Sequence, residues 1–138
     1  MTREDKELLL KDLCARLPYG VKVESVFINP DTKEHKSCGI EVFDATSILM
    51  IRDGLGEFKP YLFPLSSMTE TQQEEFDRIY ADDMQVVANN LKNRLDGKPY
   101  ETNFGHYRHI DWLNKNHFDY RNLIDKNLAI DCTNLNIY

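Results

Sequence analysis

From Glu70 to Leu95 the chain runs without a glycine or proline, and Phe76, Ile79, Tyr80, Met84, Val87, Leu91 and Leu95 recur along it at helical spacing. Apolar residues repeating every three or four positions mark one face of an α-helix. Thr69, with Gln72 three residues on, has the form of a capping box at the start of the run. The stretch reads as one helix over about Glu70–Leu95, roughly 39 Å long at 1.5 Å per residue. Such a helix excludes an all-β fold and requires another element against its stripe. Glu74, Glu75, Asp77, Asp82 and Asp83 read as its outer face, either simply solvated or offered to a basic partner.

The first 65 residues carry a different pattern. Thr2 and Asp5 resemble an N-cap with an acid in the first turn, and Leu9, Leu10, Leu13 and Leu17 follow at helical spacing, which predicts a helix over about Arg3–Arg16. Pro18-Tyr19-Gly20 stops it. Val21, Val23 and Phe27 then alternate with charged residues up to a hairpin tip at Asn29–Lys33. Cys38–Phe43, Ser47–Arg52 and Glu57–Leu62 read as three further strands, separated at Asp44-Ala45-Thr46 and Asp53-Gly54-Leu55-Gly56. Four short strands with tight turns predict an antiparallel meander, either curled into a small SH3-like barrel or laid open against helices.

Beyond Asp96-Gly97-Lys98-Pro99 a third helix starts near His106 and a short fourth covers Tyr120–Lys126, while Leu128–Tyr138 reads as a last strand or an ordered arm. The expected fold class is α+β in a single domain over 1–138, with a helix and β-meander over 1–65 and a mainly helical part over 66–138.

Composition enters where partners are concerned. A formal net charge of −6 disfavours nucleic acid, whose affinity for proteins rests on Lys and Arg that displace phosphate counterions. No apolar run approaches the roughly 20 residues of a membrane span. The start of the chain lacks the features of an export signal, and three widely spaced cysteines form neither a disulfide framework nor a zinc knuckle. Cytoplasmic location is the expectation.

The densest polar cluster runs from His106 to Tyr120. His106, His109 and His117, with Asp111 or Asp119 closing a shell, have the chemistry of a transition-metal site that activates water. The helical wheel opposes this, since His106, Ile110, Leu113 and His117 fall on one arc and His109 points away, and no H-E-x-x-H is present. The histidines therefore read as packing residues, and no cofactor is expected. There is no G-x-S-x-G elbow and no phosphate-binding glycine loop. Among the strand aromatics Phe27, Phe43, Phe58, Tyr61 and Phe63, a barrel could offer stacking platforms to bases, although core packing is the simpler role. Phe58, Tyr61, Phe63 and Trp112 are the candidate contacts for a partner.

Two stretches, Lys59-Pro60-Tyr61-Leu62-Phe63-Pro64-Leu65-Ser66-Ser67-Met68-Thr69 and Asp111-Trp112-Leu113-Asn114 continuing through His117-Phe118-Asp119-Tyr120-Arg121 to Asn122-Leu123-Ile124, together with the start Lys6–Gly20, resemble a family of proteins of Bacteroides-type gut bacteria and their phages or prophages. Glu24–Gly56 matches least clearly. The resemblance implies a cytosolic protein tied to mobile elements, and brings no established reaction, ligand or active-site residue. The expected function is a non-enzymatic interaction or regulatory protein of phage or prophage origin that acts through a protein partner. The alternatives are a nucleic-acid-binding small barrel, a metal-dependent hydrolase or nuclease using residues 106–119, and an acidic inhibitor of a host defence system.

Overall fold

The computed structural model describes residues 1–98 and 107–138. They fall into two compact units, one formed by Met1–Ser67 with His117–Tyr138 and the other by Met68–Asn116.

In the first unit, α1 spans Arg3–Arg16. The Thr2 hydroxyl accepts the Asp5 amide at 3.0 Å and the Asp5 carboxylate accepts the Thr2 amide at 3.1 Å, so two otherwise unpaired donors at the helix start are satisfied reciprocally. The buried residues Leu9, Asp12, Leu13 and Arg16 form one stripe at i, i+3, i+4 and i+7, so two charged side chains share the buried face with two leucines. A turn of 3-10 helix over Leu17–Tyr19 and a left-handed Gly20, φ 66°, release the chain into β1, Lys22–Ile28.

β1 turns back into β2, His35–Val42, and pairs on its other side with β3, Gly56–Pro64, antiparallel to both. Ser47–Arg52 is not a strand, as the sequence pattern had it, but the body of a helix, α2, over Ala45–Arg52. Its continuous run Ile48-Leu49-Met50-Ile51 lacks the alternation of a half-buried strand, and periodicity alone does not decide such a run. The cap decides it. The Asp44 carboxylate accepts the Ser47 amide at 3.0 Å while the Ser47 hydroxyl accepts the Asp44 amide at 3.2 Å. Helix α2 thus carries the chain from β2 past β1 to β3, giving the order β2-β1-β3.

Two short strands from the far end of the chain complete the sheet. β4, Phe118–Asp119, pairs in parallel with Phe63 and Pro64, and β5, Ile130–Asp131, pairs in parallel with Tyr61 and Leu62. The sheet is therefore a mixed, open one of five strands rather than a four-stranded antiparallel meander, and it does not close into an SH3-like barrel. His117–Tyr138, read from the sequence as part of a helical half, belongs with this sheet unit.

Tyr120–Lys126 forms turns instead of a fourth helix. The Asp119 carboxylate accepts the amides of Leu123 and Ile124 at 3.0 and 2.9 Å, and Asn122 and Asn127 take left-handed φ values of 63° and 58° that a continuing helix does not allow. The tail is an ordered arm. The Tyr138 hydroxyl accepts the Lys22 amide and donates to the Tyr61 carbonyl, both at 2.9 Å, bridging β1 and β3 one step beyond their last paired residues, Val23 and Pro60.

The core of this unit joins Leu9 and Leu13 of α1 to Val21, Val23, Phe43, Phe58 and Leu62 of the sheet region and to Leu123, Leu128 and Ala129. Phe43 and Phe58 meet edge to face, 5.7 Å apart at 79°. Gly56 is fixed by this packing, because a Cβ there would lie 2.9 Å from the Phe58 ring and 3.3 Å from the Met50 methyl. Gly56→Ala is expected to lower stability by about 1–3 kcal/mol through overpacking. Urea denaturation checks this, and a loss below about 0.5 kcal/mol would contradict the contact.

The second unit contains α3, Glu70–Leu95, and α4, Arg108–Lys115. Thr69 and Gln72 close the anticipated capping box, with the Thr69 hydroxyl accepting the Gln72 amide and the Gln72 side-chain oxygen accepting the Thr69 amide. Phe76 of α3 packs against Trp112 of α4 with ring centroids 5.8 Å apart.

Candidate functional site

Among the described residues β2 is the terminal strand of the sheet on one side, and all eight of its residues are exposed. The Phe43 amide, just past its end, donates to the Val21 carbonyl at 2.9 Å. Backbone groups on a strand alternate in direction, so the peptide groups of Ile40 and Val42 face away from β1 towards the open edge. Both side chains are 54% exposed. Glu41 stands opposite Val23, on the side of the sheet that is buried further in, yet is itself exposed. Between the pairs Ser25–Gly39 and Val26–Ser37 the register shifts, leaving Cys38 as the extra residue of a β-bulge beside the left-handed Gly39, φ 77°. The regular part of the free edge is thus the short run Gly39–Val42.

The His-rich segment is divided between the two units. His106 lies outside the described residues, His109 and Asp111 belong to the helical unit, and His117 and Asp119 to the sheet unit. Among the described residues, no three His, Cys, Asp or Glu side chains converge as metal ligands.

His109 has a definite role in the helical unit. Its ring Nδ1 lies 2.5 Å from an Asp83 carboxylate oxygen, and its backbone amide donates to the same oxygen at 2.9 Å. Helix α4 has no side-chain cap at Tyr107, so Asp83 of α3 supplies from outside the acceptor that the first turn needs. Burial alone would push the Asp83 carboxyl up, but the amide and imidazole of His109 outweigh it and hold the carboxyl below its ordinary range. Tyr80 and Phe76 meet the His109 ring edge to face at 5.1 and 6.1 Å. The arrangement orients an imidazole, and its described contacts are with Asp83, Phe76, Tyr80 and Tyr107. It is a helix clamp, and Asp83 is not part of the outer acidic face assigned to it by sequence.

His117 stacks on Tyr138, 3.6 Å apart and nearly coplanar, with its Nδ1 buried and without a hydrogen bond among the described residues. Burial, then Arg16 and Lys22, push its pKa down to about 4, so the ring is neutral at physiological pH. Asp119 spends both oxygens on the turn amides already described. Nearby in the same unit, Asp12 and Arg16 are fully buried, with Arg16 Nε 2.8 Å from Asp12 and its Nη2 donating to the Phe118 carbonyl at 2.7 Å. Arg121 reaches the second Asp12 oxygen at 2.9 Å. These are structural networks of the interior.

The aromatic candidates also turn inward. Phe58, Tyr61 and Trp112 are buried and Phe63 is half-buried. Cys132 is buried, its thiol pushed up to about 11 chiefly by burial, which suits packing rather than nucleophilic attack. No helix among the described residues is long and apolar enough to cross a membrane.

Comparison of the chain with protein-family models, curated proteins and solved structures gives no match. The site therefore has to be read from its own geometry. The open edge of β2 is not legible in the sequence, because Cys38–Phe43 has the same alternating look as a central strand and only pairing distinguishes the two. Asp83 carried a usable signal, since it lies three residues after Tyr80 and four before Val87, on the helix stripe itself.

Proposed function

We propose that the chain is a non-enzymatic, cytoplasmic interaction protein of phage or prophage origin, and that it holds its partner by adding a strand of that partner to the free edge of β2. What supports this reading is the edge itself: a terminal strand exposed along all eight residues, with the peptide groups of Ile40 and Val42 directed outward. An unpaired edge offers a row of donors and acceptors, and an extended peptide satisfies them while its alternate side chains choose the register.

Self-pairing is the competing use of any edge, and two features oppose it. The bulge at Cys38 interrupts regular pairing, and in an antiparallel pair of β2 strands centred on this run the two Glu41 carboxylates would come side by side. The occupant is accordingly an extended segment of a different protein, with apolar residues beside Ile40 and Val42 and a basic residue facing Glu41.

Changing Ile40 and Val42 together to lysine tests it. Both side chains are exposed, so the fold is expected to survive with a stability change within about 0.5 kcal/mol. Capture of the partner from nuclease-treated lysate of the native-type host is expected to fall at least tenfold. Unaltered capture by the folded double variant would refute the edge as the docking element, and recovery of nucleic acid or bound metal in place of a protein would favour the other readings.

A further inference from the structure

Residues of α1, β1, α2 and β3 also line a cavity of about 380 Å3 in the sheet unit. Its apolar wall is built by Leu9, Leu10, Val26, Ile28, Ile51 and Phe58. A cavity of about 150 Å3 already holds benzene, and small-molecule pockets begin near 300 Å3, so this one has room for a ring or branched chain together with a polar head.

Four charged residues border the same space, Lys6, Glu24, Glu57 and Lys59. Lys59 donates to the neutral Asn127 side-chain oxygen at 3.2 Å and stands opposite Glu24 in the β1–β3 register, and Glu57 lies 3.6 Å from His35. Lys6, Glu24 and Lys59 form no ion pair among the described residues, which leaves charges of both signs beside an apolar wall. A purely anionic head would satisfy Lys6 and be repelled by Glu24. A purely cationic head would do the reverse. A head bearing both charges suits both groups.

We propose that this cavity binds a small zwitterion with an apolar body, of the class of aromatic and branched aliphatic α-amino acids, with its carboxylate towards Lys6 and its ammonium towards Glu24. The proposal is independent of the docking role of β2, whose residues do not line the cavity.

The test is an amide-resolved NMR titration of the full chain with three probes of one aromatic body: L-phenylalanine, 3-phenylpropanoate, which lacks the amine, and 2-phenylethylamine, which lacks the carboxylate. L-Phenylalanine is expected to shift the amides of Leu10, Val26 and Ile28 and to bind about tenfold more tightly than either singly charged probe, the worth of one well-placed ionic contact. Lys6→Gln is expected to remove its advantage over the amine, and Glu24→Gln its advantage over the carboxylate. No shifts at these residues at millimolar probe, or equal binding of all three probes to the wild-type chain, would overturn the proposal whether or not the variants fold.

Discussion

Asp12→Ala is expected to destabilise the sheet unit by about 3–5 kcal/mol, the usual cost of leaving a buried charge without its partner. Arg16 is fully buried, and its Nε is held by Asp12 at 2.8 Å. The substitution leaves the guanidinium with the Phe118 carbonyl as its one remaining acceptor among the described contacts, and removes the anchor of Arg121. The cost comes from the stranded cation and not from any large intrinsic worth of the pair. Replacing Asp12 by Leu and Arg16 by Met together is therefore expected to recover most of the loss, to within about 1–2 kcal/mol of the native chain. Urea denaturation followed by far-ultraviolet circular dichroism measures all three proteins. A single-variant loss below about 1 kcal/mol would mean that water reaches the pair.

Asp83→Ala is expected to cost about 2–3 kcal/mol in the helical unit, since one buried carboxylate accepts both the backbone amide and the imidazole of His109. Trp112, the single tryptophan of the chain, lies in α4 and reports this unit by its fluorescence. The pH dependence has a defined sign. The Asp83 carboxyl is held below its ordinary value of 3.8, so its contribution is complete above that value and is lost as pH falls through the lower, folded value. The gap between native and variant stability should accordingly narrow in acid below pH 3.8. A gap that widened there would show that the protonated carboxyl is the form the fold prefers.

The contrast between helices and sheet explains how much was legible beforehand. α1 and α3 could be bounded from sequence because Thr2 with Asp5 and Thr69 with Gln72 are local devices, each complete within four residues. The third such device, Asp44 with Ser47, was equally local but was masked by a β-branched, apolar run that reads as a strand. Sheet order was not legible, because the partners of Tyr61–Pro64 are two-residue strands at Phe118–Asp119 and Ile130–Asp131, too short and too distant to leave a pattern.

The same logic governs the candidate sites. The rings of Phe58, Tyr61 and Trp112 have the chemistry of partner contacts, whereas burial decides whether a ring can make them. The histidines are near one another in sequence, but the fold sends His109 to Asp83 and His117 to Tyr138. The strand edge, which now carries the functional reading, is a property of pairing and has no local sequence signature.

Amide hydrogen exchange at Ile40 and Val42, compared between the free chain and the chain bound to its captured partner, tests the role of β2 most directly. With their N–H groups directed to the open edge, both amides should exchange rapidly in the free protein and become protected on binding, while Glu41, directed at β1, changes little. Protection confined to Ile40, Val42 and their neighbours in β2 is the result strand addition predicts. A bound partner that leaves both amides exchanging as fast as before would contradict it and move the interface elsewhere on the molecule.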